Sequence, residues 1–97
     1  MRNSNVKKIK GKYMLKANVY VTLKKEILDA QGLVIKKAIS QIGYDNVNEV
    51  RFGKFIQLEI NDDNQTEEEV KKEIDSLSDK LLSNPNIENY RFEIVRE

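Results

Sequence analysis

The stretch LKANVYVTL, from Leu15 to Leu23, alternates strictly between two kinds of side chain. Apolar side chains occupy every odd position, and polar or amphipathic ones occupy every even position. Because successive side chains of a β-strand point to opposite faces, this period of two predicts a strand with one buried and one open face. Such a strand is stable only if other parts of the chain cover its apolar face.

Two amphipathic helices are predicted to supply that cover. The first begins at Asp29, whose carboxylate suits an N-cap, and ends at Gly43, a typical C-terminal stop. The second begins at Thr66, which forms a capping-box pattern with Glu69, and ends before Pro85. Each helix carries one apolar stripe. The stripes consist of Val34, Ile35, Ala38, Ile39 and Ile42 in the first helix and of Val70, Ile74, Leu77 and Leu81 in the second.

Three further strands complete the predicted fold. The segment VNEVRFGKFIQLEI, residues 47–60, predicts two short strands that meet near Gly53 and Lys54, and NYRFEIV, residues 89–95, predicts the last strand. The order is therefore β-α-β-β-α-β. It predicts an α+β fold with one antiparallel sheet and two helices on one face, related to the ferredoxin-like plan. The other face is then open and polar, with Lys16, Asn18, Tyr20, Thr22, Arg51, Phe55, Gln57, Arg91 and Glu93.

Composition makes self-contained catalysis a poor prediction. The 97 residues suit a single domain and include no histidine, cysteine or tryptophan. The usual general base, the thiolate nucleophile and the commonest nitrogen and sulfur metal ligands are therefore missing. The sequence also lacks a P-loop, an EF-hand loop and a nucleophile elbow. We expect no catalytic residue, no metal site and no bound cofactor in this chain.

Charge is distributed unevenly along the chain. Residues 1–25 contain eight basic residues and no acidic one, whereas residues 26–97 contain nine basic and sixteen acidic residues. Residues 1–13 are basic and aperiodic, which predicts a flexible N-terminal extension ahead of a single domain at 14–97. The acidic balance of that domain opposes binding to phosphate backbones. No apolar run approaches the roughly 20 residues that cross a membrane.

Two other functions are compatible with the predicted fold. An RNA-binding module of this plan would stack bases on Tyr20 and Phe55, which lie on the open face. A small-molecule effector module would place Gly32, after the first strand, against an amino-acid ligand. The first conflicts with the acidic balance, and the second rests on analogy between folds alone.

Three stretches resemble one family in the correct order. KANVYVTLKKEILDAQG (16–32), VNEVRFGKFIQLEI (47–60) and KLLSNPNIENYRFEI (80–94) are similar to the PurS subunit of phosphoribosylformylglycinamidine synthase. The resemblance implies a cytoplasmic, non-catalytic subunit that forms a dimer or tetramer. It also implies binding to a large synthetase subunit (PurL) and a glutaminase subunit (PurQ), but not to nucleic acid or membranes. In such a complex ammonia passes from the glutaminase to the synthetase, which uses ATP and magnesium to convert formylglycinamide ribonucleotide to its amidine in de novo purine synthesis.

The resemblance suggests a reason for Gly32. A glycine in the first turn of a helix costs about 1 kcal/mol relative to alanine, but it lets a neighbouring backbone come close. We therefore predict a subunit contact at Asp29, Gln31 and Gly32; the alternative is an ordinary N-cap followed by a tolerated glycine. The full set of interface candidates is Tyr20, Lys24, Lys25, Asp29, Gln31, Gly32, Arg51, Gly53, Lys54, Phe55, Asn84, Pro85 and Tyr90.

Overall fold

A computed structural model of the chain describes residues 8–9, 12–61 and 65–96. The α+β class, with an antiparallel sheet and two α-helices, is confirmed. Its elements are β1 (Lys8–Ile9), β2 (Lys12–Leu23), α1 (Ala30–Gln41), β3 (Gly53–Asn61), α2 (Glu67–Leu77), a π-helical turn (Ser78–Leu82) and β4 (Glu88–Arg96).

The long strand β2 forms the centre of the sheet. It pairs with β3 along one edge and with β4 along the other, both antiparallel. In this register Val19 lies opposite Ile56 and Phe92, so that apolar side chains of all three strands share one face. Ala17 and Val19 are 0% exposed, which confirms the buried face predicted from the alternation.

Helix α2 covers that apolar face. Val70 and Ile74 are buried in one cluster with the odd-numbered side chains of β2. Each buried side chain of this size stabilises the fold by about 1.5–3 kcal/mol. The predicted capping box is also present: Glu69 N donates to Thr66 Oγ1 at 3.1 Å, and Thr66 N donates to Glu69 Oε1 at 2.8 Å.

Helix α1 lies where the sequence did not predict it. Its apolar stripe was expected in the core, but Val34 and Ile42 are 68% and 72% exposed. Among the described residues, the fully buried members of the apolar cluster come from β2 and α2, partly buried side chains of β3, β4 and the π-helical turn pack against them, and α1 contributes none. Both predicted helices are present, but only α2 contributes buried apolar side chains to the described core. An apolar stripe requires cover, but it does not specify which surface provides the cover.

The segment before β3 also differs from the prediction. Residues 47–52 were expected to form a strand, but residues 44–52 carry no strand, turn or bend, and β3 begins at Gly53. At the N-terminus, Lys8 and Ile9 pair with the first two residues of β2. The rest of the predicted extension, residues 1–7, 10 and 11, lies outside the described residues.

No helix in the described ranges has both the length and the apolarity needed to cross a membrane.

Replacing Ile74 by alanine tests whether α2 provides the principal cover of the sheet. Ile74 is 1% exposed, and we expect the change to lower the free energy of unfolding by about 2–5 kcal/mol. Leu81→Ala is the matched control, because Leu81 is 74% exposed. Urea denaturation measures both. Equal losses in the two variants would contradict this account of the core.

Candidate subunit interface

The carboxylate of Asp29 joins two separate segments of the chain. Its Oδ1 accepts from Gly32 N at 2.9 Å, which caps α1 as predicted. Its Oδ2 accepts from Phe52 N at 2.7 Å, just before β3 begins. Asp29 is 5% exposed. One side chain therefore fixes the first turn of α1 against residues 50–52.

Hydrogen bonding also changes the acidity of this carboxyl group. The bond from Phe52 N, followed by that from Gly32 N, lowers the pKa of Asp29 below its ordinary value of 3.8. Both bonds favour the charged form, and the nearby Arg51 guanidinium adds to the effect. Desolvation acts in the opposite direction without cancelling the lowering. The group is therefore an ionised acceptor in the folded protein at neutral pH.

Arg51 fastens the same region to the end of β2. Its Nη2 donates to the carbonyl oxygens of Leu23 and Lys24, each at 3.0 Å. Asp29 thus binds the start of α1 and the residue before β3, whereas Arg51 binds the end of β2. Together they connect the end of β2, the start of α1 and the start of β3, and we call these contacts the Asp29 junction.

Close packing within the chain accounts for a glycine at position 32. A Cβ atom added at Gly32 would overlap the carbonyl oxygen of Val50 and come within 2.7 Å of Asp29 Oδ2. The expectation of a close backbone neighbour is met by the chain's own Val50, and Gly32 is buried rather than part of an exposed turn. A further contact of this region with a partner stays a prediction. Lys25 lines a cavity together with Asp29. Gln31 is exposed and lines the groove beside Val34 and Phe52.

Seven large apolar side chains are exposed around α1, and we call them the α1 surface. They are Leu28, Leu33, Val34, Ile35, Ile42, Tyr44 and Phe52, each between 37% and 74% exposed. A shallow groove among them is lined by Ala30, Gln31, Val34, Ile35 and Phe52. The apolar side chains of this groove form an exposed patch, and such patches commonly mark sites of interaction.

The α1 surface was not predicted from the sequence. Val34, Ile35 and Ile42 were assigned to the core, because a helical stripe indicates burial without naming the partner. Leu28 and Tyr44 lie outside the stripe, and no local pattern separates them from core residues.

The predicted open face of the sheet carries an organised polar network, which we call the outer sheet face. The rings of Tyr20 and Phe55 are 5.2 Å apart between centroids, and the Arg91 guanidinium carbon lies 4.0 Å from the Tyr20 ring centroid. Glu93 Oε2 accepts from Tyr20 Oη at 2.9 Å and from Asn18 Nδ2 at 3.2 Å. The predicted pair Tyr20 and Phe55 is therefore brought together.

These bonds shift the acidities of the two central groups in opposite directions. The hydrogen bond to Glu93 raises the pKa of Tyr20, because Glu93 accepts the hydroxyl proton. The bond from Asn18, followed by the bond from Tyr20, lowers the pKa of Glu93. Neither shift favours proton transfer near neutral pH, so the outer sheet face offers shape and hydrogen bonds rather than acid–base chemistry.

The remaining candidates have partners within the chain. Lys54 Nζ lies 3.6 Å from Glu88 Oε2. Tyr90 Oη donates to Asp75 Oδ1 at 2.8 Å, and this bond raises the pKa of Tyr90 to about 12. Lys54 also lines a shallow cavity with Asp29 and Gln31, and Tyr90 lines one with Tyr20 and Arg91.

The glycine and turn candidates also have local explanations. A Cβ added at Gly53 would overlap the carbonyl oxygen of Val21, so close pairing with β2 accounts for this residue. Asn84 and Pro85 form the turn before β4, where the Asn84 carbonyl oxygen accepts from Glu88 N at 2.7 Å. Across the described residues, no group of three acidic side chains is placed to hold a metal ion.

Replacing Asp29 by asparagine tests the charged junction. A lowered carboxyl pKa stabilises the fold above pH 3.8, and this contribution is lost as the pH falls through the pKa of the folded state. We expect the wild-type free energy of unfolding to decline in that range. Asp29→Asn should be less stable at neutral pH and should vary less with pH. Urea denaturation at several pH values measures this, with Glu68→Gln as an exposed control. Identical pH profiles for wild type and Asp29→Asn would contradict the assignment.

Gly32→Ala tests the close approach of Val50. Alanine is the better helix former by about 1 kcal/mol, yet the overlap with the Val50 carbonyl oxygen should outweigh that gain. We expect a net loss of about 1–3 kcal/mol in the free energy of unfolding. The exposed change Gln41→Ala in the same helix should stay within about 0.5 kcal/mol of wild type. A stabilised Gly32→Ala variant would show that the two segments do not pack as described.

Comparison with known proteins identifies the family. The family model for PurS, phosphoribosylformylglycinamidine (FGAM) synthase, matches residues 16–96. The FGAM synthase subunit PurS of a Synechocystis species is 41% identical over 79% of this chain and 75% of the relative. That of Bacillus subtilis is 38% identical over 84% of this chain and 93% of the relative.

Solved structures agree with the sequence comparison. The crystal structure of Methanocaldococcus jannaschii PurS is 35% identical with a TM-score of 0.75, over 86% of this chain and 98% of that one. A chain in the structure of PurLQS from Thermotoga maritima has a TM-score of 0.75 at 23% identity, over 84% of this chain and 98% of that one, which shows the fold alone. The chain described here therefore belongs to the PurS family, whose members are subunits of FGAM synthase.

Proposed function

We propose that this chain associates with itself and holds the glutaminase subunit (PurQ) of FGAM synthase against the synthetase subunit (PurL). The observation that carries the proposal is the α1 surface. Its apolar side chains lie open to solvent, while the Asp29 junction fixes the helix that bears them. Interface cores are depleted in charge and enriched in aromatic residues, and Tyr44 and Phe52 meet that description.

Family membership and chemistry support the same division of labour. The M. jannaschii relative is one of the subunits of formylglycinamide ribonucleotide amidotransferase in the purine biosynthetic pathway. The chain described here lacks histidine and cysteine, so it offers no thiolate nucleophile and no imidazole base. We therefore assign ATP and magnesium to the large subunit of the complex, and glutamine hydrolysis to the glutaminase. The cytoplasm is the compartment that this role implies.

The contribution of such a subunit is positional. Ammonia released at one active site is diluted in solvent unless the second site lies close by. A subunit that holds the two active sites close together raises the effective concentration of ammonia at the second site without touching the reacting atoms. A rigid contact surface serves this purpose better than a mobile one, because less conformational entropy is lost on assembly.

The outer sheet face favours the proposed role over RNA binding. Tyr20 lies between Phe55 on β3 and Arg91 on β4, and both are close to its ring. The aromatic face that a base would stack on is therefore already in contact with side chains of the chain itself. The family comparison likewise does not favour an effector-binding module.

Charged substitutions on the α1 surface test the proposal. With the two larger subunits present, we expect the chain to raise glutamine-dependent amidine formation and to leave the ammonia-dependent rate nearly unchanged. Val34→Lys should then require at least tenfold more of this chain for half-maximal glutamine-dependent activity, because a charge would be buried at the contact. The folded state should persist, since Val34 is 68% exposed.

Leu81→Lys is the matched control for this experiment. Leu81 is 74% exposed but follows α2 in the π-helical turn, away from the α1 surface. It should support activity at the wild-type concentration. Equal loss in both variants, or no loss in Val34→Lys, would remove the α1 surface from the proposed contact. No response of either rate to the wild-type chain would contradict the bridging function.

A further inference from the structure

The segment between α1 and β3 leads into an edge strand. Residues 44–52 carry no helix, strand, turn or bend, and β3 begins at Gly53. Phe52 N and the carbonyl oxygen of Val50 both face the start of α1. In an extended chain the backbone groups of alternate residues point to the same side. With the segment extended, the N–H and C=O groups of Val47, Glu49 and Arg51 point to the opposite side.

That opposite side is open and continuous with an exposed sheet edge. Residues 45–51 make no backbone–backbone hydrogen bond with any other part of the described chain. The strand β3 pairs with β2 only, so its outer edge is free among the described strands. An edge of this kind is a template for pairing with another strand.

We propose that residues 47–53 pair antiparallel with the same residues of a second copy of this chain, about a two-fold axis at Val50. The proposal rests on the self-association included in the proposed function and specifies the surface that carries it. An antiparallel two-fold contact uses one patch twice, so a single free edge is sufficient to form it.

Charge selects the register. With the axis at Val50, Glu49 lies opposite Arg51 of the second copy, which gives two opposite-charge pairs by symmetry. With the axis at Glu49 or at Arg51, like charges would face each other. An axis at Asn48 would pair Arg51 with Asp45 but set Glu49 against Val47, without a countercharge. The axis at Val50 alone pairs Glu49 with Arg51.

Both side chains keep groups that can take part in this pairing. Glu49 is exposed and makes no ion pair with any residue that the structure describes. Arg51 is held by two bonds through Nη2, which leaves the other nitrogens of its guanidinium as donors. The backbone groups of Glu49 and Arg51 would exchange hydrogen bonds with those of the second copy, because both point to the open side.

Single cysteines test the register directly, since the chain has no cysteine of its own. With the axis at Val50, the two Val50 Cα atoms would form a pair without mutual hydrogen bonds, about 4.5 Å apart. That separation suits a disulfide. We expect the purified chain carrying Val50→Cys to form a covalent dimer under mild oxidation, reversed by reductant. Asn48→Cys should remain monomeric on the same gel, because its two copies would lie four residues apart along the ladder.

A charge reversal provides the second measurement. In the Val50→Cys background, Glu49→Arg should slow cross-linking at least tenfold, because arginines would then face each other at two places. Glu68→Arg, an equal charge change on the exposed side of α2, should leave the rate unchanged. Cross-linking of Asn48→Cys instead of Val50→Cys, or none with either, would overturn the proposal. These experiments use the chain alone, so a negative result leaves the enzymatic test of the bridging role intact.

Discussion

The carboxylate of Asp29 is the interaction on which the rest of the arrangement depends. It caps α1 through Gly32 N and binds Phe52 N, so the helix and the approach to β3 share one acceptor. Charge makes this sharing effective, because an ionised carboxylate forms stronger hydrogen bonds than a neutral acceptor. Without it, α1 would be joined to the sheet by loops, since the helix contributes nothing to the buried apolar cluster of the described residues.

This junction explains how an exposed helix can still be precisely placed. Helix α2 is held by apolar burial of Val70 and Ile74 against the sheet. Helix α1 is held by polar contacts at its first turn, which leaves its apolar side chains free. Attachment by apolar burial removes the apolar side chains of α2 from solvent, whereas attachment by polar contacts leaves those of α1 exposed. Polar attachment suits a subunit that binds other subunits, because its apolar side chains stay available for contact with them.

The two faces of the sheet show the same separation of tasks. The inner face is apolar and buried under α2, whereas the outer sheet face is tied together by Glu93, Tyr20 and Asn18. Side-chain hydrogen bonds between β2 and β4 fix the positions of these groups before any partner arrives. Such preorganisation lowers the entropic cost of binding. The open backbone edge of residues 47–53 continues along the outer edge of β3.

Much of the fold could be predicted from local sequence patterns. The alternation from Leu15 to Leu23 determined a half-buried strand, Thr66 and Glu69 determined the start of α2, and Asp29 determined the start of α1. These features depend on residues close together in the chain, where periodicity and capping act. The absence of histidine and cysteine likewise made a catalytic centre a poor prediction from composition alone.

The tertiary structure decided what those elements touch. Only the fold shows that Gly32 accommodates Val50 and that Arg51 reaches Leu23, because these residues are far apart in sequence. The stripe of α1 was predicted to be buried, since periodicity reports which residues need cover but not where the cover comes from. The sequence by itself therefore determined the secondary-structure elements and the apolar residues that require cover. The three-dimensional arrangement decided that α2 finds its partner within the chain and that α1 does not.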